Sequence, residues 1–145
     1  MKILDVCDHQ TATVSLEATV AQAIEAMISA QVGAVAVTDH TGRIRGIFTE
    51  RDVLLKIALS GANPCITPVS KLMTCPVQTA IPDITPIEAL GIMAHGHFRH
   101  LPIVDLEGKL LGMLSMRNLL EWRTKDLDHE LDALEQYFAN DSLGG

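Results

Sequence analysis

The sequence is poor in aromatic residues and has no excess of positive charge. It contains one Trp, one Tyr and three Phe in 145 residues, and its 48% hydrophobic content is mainly aliphatic. Proteins that stack successive bases on aromatic rings need more rings than this. The formal net charge is −7, of which −2 belongs to residues 1–120 and −5 to residues 121–145. Without a basic face we expect no nucleic-acid partner.

Long apolar runs and paired cysteine motifs are also missing. No run approaches the roughly 20 residues that span a bilayer, so we expect no membrane partner. Asp5 and Asp8 interrupt the N-terminus, which does not resemble a signal peptide. Three cysteines without CxxC spacing favour reduced thiols and a cytoplasmic location. The apolar content excludes a disordered chain, and the length suits one compact domain or two small packed halves.

The chain contains an internal repeat with an offset of 66 residues. Residues 13–54 align with 79–120 without a gap and share nine identical pairs, including Gly42/Gly108 and Gly46/Gly112. Matches at turn glycines and at apolar positions indicate a duplication. Each copy reads as strand–helix–strand–strand–helix, with Thr19 or Thr85 as the expected helix N-cap.

These patterns predict an α/β (α+β) fold with two such units packed as a pseudo-two-fold pair, plus an extended C-terminal helix. The expected divisions are residues 1–62 for the first unit with its N-terminal arm, 63–123 for the second with the proline-containing linker 63–78, and 124–145 for the acidic helix and tail. The linker is apolar enough to pack across the units.

The C-terminal helix is expected over about residues 118–138. One continuous apolar stripe on it comprises Leu120, Leu127, Leu131, Leu134 and Phe138. Since the repeat contains no partner for this stripe, we expect a homodimer.

A Gly-x-x-Thr-x-x-Asp pattern carries the candidate chemistry. It reads GIFTERD at 46–52 and GMLSMRN at 112–118, with the hydroxyl residue at a strand-to-helix junction. Thr-x-x-Asp at a helix start is commonly a capping box. The same place also suits a phosphate, because a helix N-terminus presents free N–H groups, and the carboxylate can accept from two vicinal hydroxyls.

The chain resembles tandem CBS-domain proteins, also called Bateman modules. The resemblance rests on the repeat, the two motifs above, VSKLMTCPVQTA at 69–80 and FRHLPIVD at 98–105. It implies adenosine-nucleotide binding in clefts between the paired units, with Asp52 and Asn118 on ribose and Thr49 and Ser115 on phosphate. It also implies a regulatory module that acts on an unidentified partner protein, and neither an enzyme nor a required cofactor.

The two clefts are expected to differ. Asn118 lacks the charge-assisted bond that Asp52 offers, so the Asp52 cleft should bind ribose better, and Asn118→Asp should strengthen the other cleft. The phosphate-facing Arg99 and His100 have only Gly33 and Ala34 as first-unit counterparts. We expect one occupied site anchored at Asp52, with Arg99 and His100 serving the same ligand, or else two unequal sites.

The adenine ring would need an aliphatic slot. By position its candidates are Val14, Ala34, Val35, Ala80 and Ile81, each equally suited to the core. Two other functions stay open, namely a structural dimerisation module with degenerate sites and a sensor of S-adenosylmethionine or NAD.

Two further clusters are set aside. The spacing of His95, His97 and His100 comes with no matching carboxylate or thiol, so no metal site is expected. Cys7, Asp8 and His9 are neighbours on what is predicted to be an exposed N-terminal arm, so they predict no catalytic site.

Overall fold

The computed structural model describes residues 2–8 and 11–144, with side chains up to residue 139. The first half contains helix α1 (Ile3–Val6), strand β1 (Thr13–Ser15), helix α2 (Val20–Ala30), strands β2 (Ala34–Thr38) and β3 (Ile44–Thr49), and helix α3 (Glu50–Asp52), which continues as a π-helical segment over Val53–Ala58. The second half contains helices α4 (Val69–Leu72) and α5 (Pro86–Gly96), strands β4 (His100–Val104) and β5 (Leu110–Ser115), and helix α6 (Met116–Gly144). The predicted class and the pair of units are confirmed.

Local sequence signals place the helices. Thr19 caps α2 by accepting from the Gln22 N–H at 3.2 Å, and Thr85 caps α5 by accepting from the Glu88 N–H at 3.2 Å. Each satisfies an N–H that has no partner within its helix. The hairpins turn at Gly42 and Gly108, both with a φ of 85°, where a side chain would be strained.

The two units differ in their first strand. In the first unit β1 is parallel to β2, which is antiparallel to β3. In the second unit β4 and β5 form the same hairpin, but the first strand is reduced to one parallel bridge between Ala80 and Ile103. Pro82 follows at once, and because proline has no N–H it cannot continue the ladder.

A reciprocal backbone contact joins the units. Ile44 donates its N–H to the carbonyl of Gly108 at 3.2 Å, and Leu110 donates to Gly42 at 3.0 Å. Leu110 lies 66 positions after Ile44, and Gly108 lies 66 positions after Gly42, so the two bonds exchange equivalent residues as a pseudo-two-fold axis requires. Beside these bonds a shared apolar cluster contains Ala34, Ala36, Ile47 and Met113.

The segment that precedes each unit in the chain packs into the core of the other unit. The segment before the first unit places Ile3, Val6 and Cys7 in the core of the second, together with Met93 and Leu114. The linker places Val69 in the core of the first unit. The predicted exposed N-terminal arm is therefore wrong, because residues 3–7 include three buried apolar side chains that complete a core.

Helix α6 is longer than the expected span of about residues 118–138. The side chains of its apolar stripe are all exposed, from 42% for Leu127 to 64% for Leu120 and Phe138. Among residues 2–8 and 11–144, no helix has both the length and the apolar character required to cross a membrane.

Because the exchanged segments pack differently against Gly46 and Gly112, Gly46→Ala and Gly112→Ala should change the free energy of unfolding by different amounts. A Cβ at Gly46 would overlap the Met73 Sδ atom, whereas one at Gly112 would lie 3.4 Å from the Cys7 Sγ atom. Overpacking should lower the free energy of unfolding of Gly46→Ala by about 1–2 kcal/mol. Gly112→Ala should stay within about 0.5 kcal/mol of wild type, since alanine loses less chain entropy than glycine. Urea denaturation measures both, and equal losses would contradict this packing.

Candidate functional site

A large groove runs between the two units. Its volume is about 1190 Å³, and residues of both units line it. The second unit contributes Arg99, His100 and Ser115, while the first contributes Ala34 and Glu50. The β2–β3 and β4–β5 hairpins begin close together at this groove. A Cβ added at Gly33, just before β2, would lie 3.5 Å from the ring of His100, the first residue of β4.

The second motif lies beside this groove as a reciprocal cap. Asn118 donates its backbone N–H to the Ser115 hydroxyl at 3.0 Å, and Ser115 donates its N–H to the Asn118 side-chain oxygen at 2.8 Å. The Asn118 side-chain Nδ2 then donates to the Asp8 carboxylate at 2.8 Å. Asp8 itself lines the groove. A carboxylate therefore lies at the second motif although position 118 is an amide.

The first motif makes the same cap but is closed by further bonds. The Asp52 Oδ2 atom accepts from the Thr49 N–H at 3.0 Å, and its Oδ1 accepts from the Thr74 hydroxyl at 3.0 Å. The Lys56 Nζ atom lies 3.2 Å from the same Oδ1 and also donates to the Leu72 carbonyl at 2.9 Å. Asp52 is buried, with 6% of its surface exposed. Its carboxylate is thus satisfied by the protein itself.

The structure separates residues that the sequence was expected to bring together. Arg99, His100 and Ser115 line the groove, whereas Asp52 and Thr49 do not. The linker packs against β3 beside Asp52 through two backbone bonds between Ile47 and Thr74, of 2.8 and 3.1 Å. The expected service of Arg99 and His100 to a ligand held at Asp52 stays a prediction.

The five adenine candidates do not line one pocket. Ala34 lines the groove, and Val14 lines a separate pocket of about 260 Å³. Val35 is fully buried in the first core. Ala80 forms the bridge to β4, and Ile81 is 39% exposed. The apolar walls of the groove come instead from α2, through residues such as Ile24, Met27 and Ile28.

Burial sets the protonation of two groups near the groove. Desolvation lowers the pKa of His100 below its ordinary 6.5, against the opposing effects of Glu50 and Asp8, while Arg99 lowers it further. His100 is therefore neutral at pH 7 and can donate one hydrogen bond. Burial, with a smaller contribution from Asp8, raises the pKa of the Cys7 thiol to about 11. Cys7 is thus a thiol at neutral pH, which does not suit a nucleophile.

No metal centre is visible in the part of the chain that the structure describes, where no three His, Cys, Asp or Glu side chains are grouped to hold an ion. His9 lies outside the described residues. His95 and His97 are exposed at the end of α5, and His97 takes the left-handed C-cap conformation.

Sequence reasoning missed four residues around the two motifs, namely Asp8, Glu50, Lys56 and Thr74. Three of them were detectable. Extending the offset of 66 back from residue 13 places Asp8 opposite Thr74, and Lys56 lies one helical turn after Asp52.

Comparison with known proteins follows this organisation. The CBS-domain family model matches residues 3–59 and 69–125. An uncharacterised 17.7 kDa protein of Acidianus ambivalens is 34% identical over 118 residues, which is 81% of this chain and 70% of that protein. The CBS domain-containing protein CBSCBSPB5 of Arabidopsis thaliana is 35% identical over 74% of this chain, which spans only 20% of that protein.

Solved structures share the architecture. A Burkholderia ambifaria protein, named for CBS domains and a proposed role in signal transduction, superimposes with a TM-score of 0.78 at 29% identity, over 87% of this chain and 96% of its own. CBSX2 in complex with AMP superimposes with a TM-score of 0.73 at 23% identity, over 86% of this chain and 96% of its own, and shows likeness of fold.

The lowered pKa of His100 predicts a pH-dependent loss of stability. The unfolded chain takes up this proton near pH 6.5, before the folded protein does, so the stabilising contribution is complete above pH 6.5 and is lost as pH falls through the folded pKa. Between pH 7.5 and 5, the melting temperature of His100→Gln should therefore fall by less than that of wild type. The exposed His95→Gln is the control and should follow wild type. Parallel curves for all three proteins would contradict the burial of His100.

Proposed function

Because this chain belongs to the CBS-domain family as a CBS-pair regulatory module, we propose that it binds an adenosine nucleotide of the AMP, ADP or ATP class in the groove between its two units. The observation that carries the proposal is the groove itself. It is about 1190 Å³ in volume and places Arg99, His100 and Ser115 on one wall. Ligand pockets combine such an apolar cleft with a few polar groups.

The charges on the second-unit wall suit a phosphate group. Arg99 is exposed and makes no ion pair within the described part of the chain, so its guanidinium is available for two parallel bonds to phosphate oxygens. Ser115 adds a hydroxyl, and neutral His100 adds a ring N–H. Glu50 also lines the groove, and its carboxylate is close enough to His100 to affect that pKa, so the phosphate belongs on the Arg99 side, away from Glu50.

The preference between the two motifs is the reverse of the sequence expectation. Asp52 could meet ribose hydroxyls only after giving up bonds to Thr74 and Lys56, which stabilise it where it lies. A buried carboxylate that loses such partners costs about 1–3 kcal/mol. In the second motif Asn118 is also buried, but Ser115 lines the open groove, and so does Asp8, which Asn118 contacts. We therefore propose one nucleotide per chain, bound at the second-unit motif.

The role of the bound nucleotide is regulatory in this proposal. A ligand that bridges both units favours whichever arrangement of the pair fits it, and it shifts the equilibrium only by its difference in affinity. A partner protein would then detect the change. S-adenosylmethionine and NAD share the adenosine and belong in the same binding experiments.

A structural dimerisation module is the second candidate. It is favoured by the self-satisfied Asp52 and by the exposed apolar stripe of α6. The stripe repeats leucine every seven residues at Leu120, Leu127 and Leu134, as in a coiled-coil seam. We propose that two copies pair along it, whether or not a nucleotide is bound.

Nucleotide binding is tested by calorimetric titration of AMP, ADP, ATP, NAD and S-adenosylmethionine. Arg99→Gln should weaken the best adenosine phosphate about tenfold, since it removes a charge-assisted bond. Asp52→Asn should lower the melting temperature but change affinity by less than about twofold. Arg123→Gln, on α6, is the control and should bind like wild type.

Two results would reverse these conclusions. If Asp52→Asn lost nucleotide binding while Arg99→Gln kept the wild-type affinity, the site would belong to the first motif. An absence of binding by every adenosine compound would leave the dimerisation module as the function.

Dimerisation is tested with Leu127→Ser/Leu131→Ser. Sedimentation velocity should show a dimer for wild type and a monomer for this variant, because two polar side chains interrupt the seam. Leu106→Ser is the control, since Leu106 is 91% exposed in a hairpin turn, and it should remain dimeric. A monomeric wild type would contradict the seam, as would a dimeric double variant.

A further inference from the structure

We propose that Asp8 supplies the carboxylate that recognises the vicinal hydroxyls of the bound nucleoside, and that Asn118 positions it. The inference rests on the proposed function and names the acidic group of that same site. In this proposal the carboxylate comes from the segment before the first unit, while the motif of the second repeat carries Asn118.

The pseudo-symmetry shows how the groups have been exchanged. An offset of 66 residues relates Asp8 to Thr74 and Asn118 to Asp52. In the first unit the Thr74 hydroxyl donates to the Asp52 carboxylate at 3.0 Å. In the second unit the Asn118 amide donates to the Asp8 carboxylate at 2.8 Å. Both contacts join a leading segment to a helix start, and each contains one carboxylate, on opposite partners.

Among the described residues, the cation that neutralises Asp52 in the first unit has no counterpart at Asp8. Lys56 lies 3.2 Å from the Asp52 carboxylate, and the same offset relates Lys56 to Trp122, an uncharged residue. Asp8 receives its hydrogen bond from Asn118 on Oδ1, while among the described residues nothing donates to its Oδ2. Asp8 lines the groove and Asp52 does not. The carboxylate that is open to a ligand is therefore that of Asp8.

The chemistry of the pair fits a sugar with two neighbouring hydroxyls. A carboxylate is an acceptor only, with two oxygens that can take both O–H donors. Asn118 donates one side-chain amide N–H to Asp8 and thereby holds the Asp8 carboxylate at the groove wall. His100 is close enough for Asp8 to affect its pKa, and Arg99 precedes His100 on the same wall. Ribose at Asp8 and phosphate at Arg99 would thus occupy one continuous wall.

The test compares AMP with 2′,3′-dideoxy-AMP, which lacks both hydroxyls, by calorimetric titration. Wild type should prefer AMP about tenfold or more, and Asp8→Asn should reduce that preference to less than about threefold. Asp8→Thr/Asn118→Asp recreates the first-unit pair, whose carboxylate does not line the groove, and should reduce the preference in the same way. Contrary to the expectation from the sequence, Asn118→Asp alone should weaken AMP binding, because its carboxylate would then face that of Asp8.

Controls separate binding from folding. Asp5→Asn removes the same charge from the same segment, at an exposed position that does not line the groove, and should keep the wild-type preference. Melting temperatures without ligand show whether each variant is folded, and the double variant carries the test if Asp8→Asn is not. An unchanged preference in folded Asp8→Asn would overturn the role of Asp8 while leaving nucleotide binding intact. If wild type bound neither compound, the proposed function would fail and this inference with it.

Discussion

The exchange of leading segments between the two units is the contact on which the rest of the structure depends. Ile3 and Val6 complete the core of the second unit, and Val69 completes that of the first. Burying apolar side chains of this size contributes about 1.5–3 kcal/mol each, so the exchange is a large part of what joins the pair. The same segments end at the helix starts, where they deliver Asp8 and Thr74. The same contact therefore completes the cores and places the side chains of the two motifs.

Small differences within this symmetric frame give the two motifs different chemistry. Both make the reciprocal cap predicted for a Thr-x-x-Asp pattern. At the first, Lys56 and the covering linker hold the carboxylate inside the protein, where removing a partner is more costly than at a surface. At the second, the carboxylate belongs to the leading segment and lines the open groove. A duplicated unit can thus keep one motif for stability and leave the other for a ligand.

Local features of this fold could be predicted from the sequence, and long-range ones could not. Helix caps at Thr19 and Thr85 and turns at Gly42 and Gly108 follow from interactions within a few residues. The leading segments, residues 3–8 and 69–74, share hydrophobic character but no identical pair. The aligned repeat therefore begins only at residues 13 and 79 and leaves both segments out. Whether Asp52 is free depends on Thr74, 22 residues away, which spacing alone cannot place.

In the proposed nucleotide site, the dependence on a leading segment has a thermodynamic consequence. A ligand that contacts Asp8 binds only while residues 3–8 are docked on the second unit, so binding stabilises docking by RT ln(1 + [L]/Kd). By reciprocity, anything that holds the segment in place raises the affinity for the ligand by the same factor. Since Ile3 and Cys7 of that segment are buried in the second core, the docked state is already the favoured one. A nucleotide in this groove would therefore act by strengthening an existing contact between the units, and a partner that competes for the segment would oppose it.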